Sequence, residues 1–275
     1  MHISDFLPKN GLFDSHCHLE GNIEQVMGKS RQHGVSGVFN AAIDIKTSKN
    51  GVLLAQKYPD YIKTFIGIDP QVFIPNHEFF LGFHYSDNQV EDFGRQLEEI
   101  YSSAKEAVIG IGETGMDFYW IKDLDQESQQ KSKSLQLKLY EVHLQLATQL
   151  KLPLTIHSRR AEKECLEVIV KNTLSVKGIF HSFTGNYEIA KAIIDSGNGL
   201  GVNGIITFKN ANDLRDVYKK IVGKLTGEES PEFFYQKGIF FETDSPFLAP
   251  EGKRGETNYP YNVKDIFEFF VNYLK

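Results

Sequence analysis

Six side chains of metal-ligand type stand where apolar runs stop. FDSHCH (13–18) offers His16 and His18, IGIGE (109–113) offers Glu113, and LTIH (154–157) offers His157. GIFH (178–181) offers His181, and FFETD (240–244) offers Asp244. Imidazole and carboxylate donors suit zinc, manganese or a similar divalent ion, and a pair of such ions can activate water for hydrolysis. Each run reads as a buried strand, which puts its polar residue at the strand exit. Strand exits gathered at one end of a parallel barrel converge on one pocket.

Taken singly, each residue has a plainer account. Glu113 and Asp244 can serve a salt bridge or cap a loop. His157 and His181 can bond a neighbouring loop. His16 and His18 flank Cys17, so a strand running through them points both imidazoles to one face. Asp14, on that same face, is either an outer support of the ligands or polar filler. The coincidence decides the matter: four of the nine histidines fall at strand exits, with two carboxylates at equivalent places. A buried carboxylate without a partner costs several kcal/mol, so such groups are normally paired or metal-bound. His2, His33, His77, His84 and His143 read as ordinary. Ser158 and Ser182 read as positioning their neighbours rather than attacking substrate. GIGETG (110–115) only superficially resembles a nucleotide cradle, because its glutamate occupies a strand exit.

Strict alternation of strand and helix must position these groups. Strands are expected at 11–16, 34–42, 62–68, 107–113, 152–157, 177–182, 199–204 and 238–243. Most are short, apolar on both faces and rich in Val, Ile and Phe, the pattern of a parallel sheet covered by helices. Helices are expected near 23–33, 47–57, 90–105, 126–151, 160–173, 187–196, 210–223 and 263–274. In the clearest of them Leu135, Leu139, Val142, Leu146 and Leu150 recur at helical spacing. Gly34 and Gly197 mark helix stops. The pattern predicts a (β/α)8 TIM barrel, with an open doubly wound sheet as the alternative. No linker or low-complexity tract divides the chain, so residues 1–275 read as a single domain. The long segments 69–89 and 245–262 follow strands and read as pocket walls or lids. The first carries Phe73, Phe79, Phe80, Phe83 and Tyr85; the second is rich in proline.

The 275 residues are 41% hydrophobic and 24% charged, ordinary for a globular chain with a large core. A net charge of −6 argues against a broad basic face that coats nucleic acid. It leaves room for an enzyme that grips a few phosphates. No apolar run is long enough to span a bilayer, and the start lacks the pattern of a signal peptide. Cys17 and Cys165 read as buried thiols rather than a disulfide framework, and the cytoplasm is the expected compartment.

Six stretches together resemble the TatD family of metal-dependent deoxyribonucleases, within the amidohydrolase-like barrels. They are FDSHCHLEG (13–21), IGETGMDFY (111–119), IHSRRAE (156–162), FHSFTG (180–185), GVNGIITFKNANDLR (201–215) and ETDSPFLAPEGKRGETN (242–258). The resemblance implies a TIM barrel holding two divalent metal ions, of zinc, manganese or magnesium type. It implies that His16, His18 and Asp244 hold one ion, that His157 and His181 hold the other, and that Glu113 bridges both. It further implies hydrolysis of phosphodiester bonds at DNA ends, as a 3′–5′ exonuclease. The chain departs from the family in two places. GIDPQV (67–72) puts Asp69 and Gln71 where many members have a His-Pro-His sequence, which touches substrate preference rather than the ligands. RGETN (254–258) lacks one basic group of the usual stretch.

The mechanism this suggests is attack by a metal-activated water, with Glu113 and Asp244 as catalytic carboxylates and Asp244 taking up a proton. Arg159 and Arg254 are candidate phosphate contacts, with Lys209 behind them. Phe183 can stack on a base or pack into the core. Two rivals remain: a barrel hydrolase acting on a small ester, amide or phosphoester, and a metal-stabilised binding or scaffold protein without turnover. DNA ends are the expected partner; no membrane and no obligate protein partner are expected.

Overall fold

The computed structural model describes residues 11–75, 87–172, 176–225, 227 and 229–275. Eight parallel strands hydrogen-bond in sequence order. They are β1 Leu12–Cys17, β2 Val35–Ala41, β3 Ile62–Ile66, β4 Val108–Gly115, β5 Leu154–His157, β6 Gly178–Phe180, β7 Gly199–Val202 and β8 Ile239–Phe241. The intervening helices are α1 Ile23–Gln32, α2 Ile45–Lys57, α3 Asp87–Ser103, α4 Gln126–Leu150, α5 Glu162–Lys171, α6 Tyr187–Asp195 and α7 Asn212–Val222. Two more, α8 Pro231–Gln236 and α9 Val263–Leu274, flank β8. This is the (β/α)8 arrangement that the alternation predicts. Its first and last strands are neighbours: Ser15 Oγ donates to Phe241 O at 3.0 Å, and Asp244 N donates to His16 O at 2.9 Å.

The chain forms two compact units, each discontinuous in sequence. Among the described residues, one comprises Ala41–Lys57 and those of Thr64–Gly178; the other comprises 11–40, Tyr58–Lys63 and those of Ile179–Lys275.

In the first unit α4 lies along β4. Its start is fixed by Asp125, whose side chain accepts from Ser128 N at 2.9 Å, satisfying one of the four free amides of the first turn. Its end is set by Lys151 in the left-handed conformation, φ 58°. Leu135, Leu139 and Leu146 are buried as the spacing predicts, while Val142 and Leu150 sit half-buried at the stripe's edge. Tyr140, His143, Leu144 and Ala147 complete the buried face. Burying a leucine such as Leu139 stabilises the fold by about 1.5–3 kcal/mol, and Leu139→Ala would cost about 2–5 kcal/mol.

In the second unit the core is aromatic. Phe241 of β8 meets Phe267 at 5.0 Å and 86°, and Phe270 at 5.4 Å and 75°. Phe234, on α8, meets Phe241 at 5.6 Å and 87°. Edge-to-face contacts of this kind add about 0.5–1.5 kcal/mol each beyond area burial. The helix α8 was not expected from the sequence, since its few residues begin at a proline and show no repeat. Ser230 caps it, accepting from Phe233 N at 3.4 Å.

Candidate metal centre

In the second unit β1, β6 and the exit of β8 bring four of the sequence-nominated ligands together. His16 is the fifth residue of β1 and fully buried; His18 follows the strand and is half-buried. His181 comes directly after β6. Asp244 lies three residues past β8, in the left-handed region at φ 53°, an uncommon conformation for a residue with a side chain. The His16 and His181 rings stack at 3.9 Å and 5°. His18 Nε2 stands 3.3 Å from Asp244 Oδ1, and His16 Nε2 stands 3.8 Å from it. One donor atom each of His16, His181 and Asp244 lies within 4.8 Å of the others. Burial pulls the Asp244 pKa up, but His18, His181 and His16 outweigh it and hold the carboxylate below its usual range. Two imidazoles and an ionised carboxylate at this spacing fit a divalent ion.

Two further carboxylates support that cluster. Asp14 accepts from Thr243 N at 2.9 Å and from His16 N at 3.2 Å, with Thr243 Oγ1 donating to its other oxygen. It is therefore a brace between β1 and the β8 exit. Burial pushes its pKa up to about 7, against the pull of the Thr243 hydrogen bonds. Glu242 was not expected from the sequence. It is fully buried, accepts from Ser182 N at 2.5 Å, and stands 3.8 Å from His181 Nδ1. Gly201 makes room for it, since a Cβ there would lie 2.3 Å from Glu242 Oε2. Ser182 itself accepts from Asn203 Nδ2 at 2.8 Å, a positioning role as expected. Asn258, from the RGETN stretch, donates to Thr243 O at 2.9 Å and to Phe247 O at 2.7 Å, which fastens the long segment after β8 to the site.

The first unit holds Glu113 and His157. Glu113 does not end its strand: β4 runs on to Gly115, and Glu113 sits where the pairing with β5 shifts register between Ile111 and Thr114. The apolar run stops earlier than the backbone pairing does. At the strand's end Gly115 is obligatory, because a Cβ would meet His157 O at 2.1 Å. His157 is the last residue of β5. Its Nδ1 is 2.8 Å from Glu113 Oε1, and its Nε2 is 2.9 Å from Asp117 Oδ2. Burial alone would lower the His157 pKa, but the two carboxylates raise it well above the ordinary value. Asp117 was not foreseen either. Burial raises its pKa, yet His157 and the Gln71 amide reverse this and hold it ionised. Gln136 on α4 brackets its backbone, accepting from Asp117 N at 2.7 Å and donating to Asp117 O at 3.2 Å.

The residues that replace the His-Pro-His sequence also belong here. Gln71 Nε2 donates to Asp117 Oδ2 at 2.9 Å. Asp69 accepts from Gln71 N at 2.7 Å and caps a turn of 3-10 helix, Pro70–Phe73. Burial and the charge of Glu113 push Asp69 up to about 8, while His157 pulls it the other way. Both residues thus act through the support of His157. The remaining aromatics and histidines of that segment, Phe79, Phe80, Phe83, Tyr85, His77 and His84, lie outside the described residues, as does His2.

The expected phosphate contacts are on the surface. Arg159 is exposed, with its guanidinium carbon 3.8 Å from the Tyr119 ring centre. Arg254 stands 4.4 Å over Phe208. Lys209 is 90% exposed and 4.0 Å from Glu251. Phe183 takes the packing alternative: it is buried and meets Tyr218 edge-on at 6.4 Å. Cys17 and Cys165 are buried free thiols, donating to Phe39 O at 3.5 Å and His157 O at 3.7 Å.

Histidines and carboxylates of metal-ligand type near the strand exits of a (β/α)8 chain are what metal-dependent barrel hydrolases use. Comparison with known proteins gives the family. The profile of the TatD related DNase family matches residues 13–275, and the chain belongs to that family. An uncharacterized metal-dependent hydrolase of Buchnera aphidicola is 30% identical over 267 residues, covering 94% of this chain and 89% of the relative. The uncharacterized metal-dependent hydrolase YcfH of Escherichia coli K12 is 28% identical over 275 residues, covering 94% and 87%. The crystal structure of YjjV, a TatD homologue from Escherichia coli K12, superposes with a TM-score of 0.75 at 23% identity, covering 95% of this chain and 90% of that one. The fold is thus the TIM barrel of these proteins, and the protein is a metal-dependent hydrolase. No helix among the described residues is long and apolar enough to cross a membrane.

Proposed function

We propose that the protein is a deoxyribonuclease that hydrolyses phosphodiester bonds at DNA ends, acting 3′–5′. One observation carries this reading: the buried cluster of His16, His181 and Asp244, with donor atoms within 4.8 Å, in a chain that matches the TatD related DNase family. His16, His18, His181 and Asp244 are proposed as metal ligands from the second unit, and Glu113 and His157 from the first. Two divalent ions of zinc, manganese or magnesium type would supply Lewis-acid polarisation of the scissile phosphate and a water acidic enough to attack near neutral pH.

The protein's own groups do the rest. Asp244 is kept ionised and so can accept the proton that the attacking water gives up. His18, at 3.3 Å, orients that carboxylate. Glu113 has two oxygens and can serve two ions, which no neutral imidazole does. Asp117 fixes which nitrogen His157 would offer a metal: an ionised carboxylate only accepts, so Nε2 keeps its proton, and Nδ1, on the Glu113 side, is the nitrogen that would release its proton to bind an ion. Arg159 and Arg254 are proposed to hold phosphates. The chain is proposed to act as one hydrolase domain in the cytoplasm, where its two buried thiols stay reduced.

The test is an assay on end-labelled single-stranded DNA after chelation and metal add-back. Stepwise loss of nucleotides from the 3′ end, abolished by chelator, is expected. Clean metal-loaded protein that leaves DNA intact yet hydrolyses a small ester or amide would overturn the assignment.

A further inference from the structure

The loop between β4 and α4 carries Phe118, Tyr119 and Trp120, and cations gather on these rings. Arg159 stands 3.8 Å from the Tyr119 ring centre, Lys122 stands 4.2 Å from it, and Arg160 stands 5.3 Å from it. Arg159 is also 5.3 Å from the Trp120 ring, and Lys133 is 4.8 Å from Phe118. Trp120 is 42% exposed, although tryptophan is among the residues most buried on average. Among the described residues Asp123, 3.9 Å from Lys122, is the counter-charge in contact, and neither arginine has an ion pair. In a chain of net charge −6 this is a local excess of positive charge around an open aromatic surface.

The loop is tied to the ligand His157 by its backbone. Tyr119 N and Trp120 N donate to Asp117 Oδ1 at 2.8 and 3.3 Å, and Asp117 Oδ2 holds His157 Nε2 at 2.9 Å. Phe118 N donates to Arg159 O at 2.9 Å. The patch therefore starts two residues beyond Asp117 on one segment and two beyond His157 on the other. Cations attract phosphates, and an exposed indole offers a face on which any base can stack.

We propose that Tyr119, Trp120, Lys122, Arg159 and Arg160 form a subsite for a single-stranded nucleic acid, with a base stacked on Trp120 and the adjoining phosphates on the cations. This subsite rests on the nuclease reading and names how the strand next to the scissile phosphate is held.

Trp120 is the single tryptophan of the chain, so its fluorescence reports on this patch alone. In the test, chelated protein, unable to cleave, is titrated with a short oligothymidylate. Saturable quenching is expected. With three cations releasing counterions from a single strand, affinity should fall roughly twentyfold between 50 and 200 mM salt. Anisotropy of a labelled oligonucleotide then compares variants: Trp120→Ala should bind about tenfold more weakly, Trp120→Phe should recover most of the loss, and Arg160→Ala should flatten the salt dependence. Absence of quenching at saturating oligonucleotide would overturn the proposal. So would quenching by heparin equal to that by oligothymidylate, which would show charge without stacking. If DNA is cleaved with no quenching, the nuclease reading stands and the subsite falls. If the oligonucleotide binds saturably but no metal supports cleavage, the subsite stands and the nuclease reading falls.

Discussion

His157 Nε2 lies 2.9 Å from Asp117 Oδ2. Such an outer hydrogen bond sets the tautomer and ring orientation of a metal-binding imidazole, and its loss typically costs about 10–100-fold in metal affinity. Asp117→Asn keeps the shape but removes the charge: with its oxygen still accepting from Tyr119 N and Trp120 N, an NH2 donor replaces the oxygen that accepts from Gln71 Nε2 and faces His157, while Gln136 still holds the backbone. We expect zinc or manganese to bind the variant about 10–100-fold more weakly in calorimetric titration of metal-free protein, with unchanged far-UV dichroism. Equal affinity in both proteins would show that Asp117 only anchors its loop.

Glu113→Gln should be more severe than Asp117→Asn. The carboxylate faces His157 Nδ1 at 2.8 Å and is buried. If Glu113 serves the proposed ions, a neutral amide removes the charge that would offset them, so activity should fall by more than the roughly 10–100-fold that outer partners cost. Asp244→Asn should weaken metal binding while the barrel stays folded. Metal content by elemental analysis, set beside turnover, separates the two variants. Near-normal turnover and metal content in Glu113→Gln would remove Glu113 from the ligand set.

Gly201 and Glu242 give a prediction on the other unit. A Cβ at position 201 would meet Glu242 Oε2 at 2.3 Å and its Cδ at 2.6 Å, in a fully buried setting. Gly201→Ala should therefore displace the carboxylate that holds Ser182 N and stands beside His181. A cost of about 1–3 kcal/mol is expected, as for overpacking in general. In the double variant Gly201→Ala with Glu242→Ala the clash is gone, so the two costs should fall short of adding by about 1 kcal/mol or more. Strict additivity in urea unfolding would mean that β7 shifts instead of the carboxylate.

Much of this was legible in the sequence because burial and chemistry coincide there. The apolar run LTI stops at His157, and so does β5; GIF stops at His181, and so does β6. The run that leads to Glu113 misled, since glycine and threonine continue the pairing of β4 without continuing its hydrophobicity. Asp117 and Glu242 stayed hidden because their roles depend on partners 40 and 60 residues away in sequence. Each left a faint signal: a carboxylate inside GMDFY, and another directly after the IFF of β8. The short helix α8 carries no periodicity at all. His143 reads as an ordinary helix residue, yet it stands four residues after Leu139 and three before Leu146. That spacing puts it on the buried face of α4.

His143 supplies the last prediction. It is fully buried, 2.6 Å from Thr114 Oγ1, and burial pushes its pKa down to about 3. Unfolded, a histidine titrates near 6.5. Between those values the unfolded chain binds a proton that the folded chain refuses, so stability rises with pH across the window. The contribution is complete above about pH 6.5 and is lost progressively as pH falls toward 3. From pH 7.5 to pH 5 the loss from this one group is about 2 kcal/mol. His143→Gln can still hydrogen-bond Thr114 but takes no proton. Urea unfolding of both proteins at pH 7.5 and pH 5 provides the comparison, since the carboxylates they share cancel. The variant should be the less stable at pH 7.5, through poorer packing, but should lose about 2 kcal/mol less on acidification. Equal losses would mean that His143 is already protonated in the folded protein at pH 5.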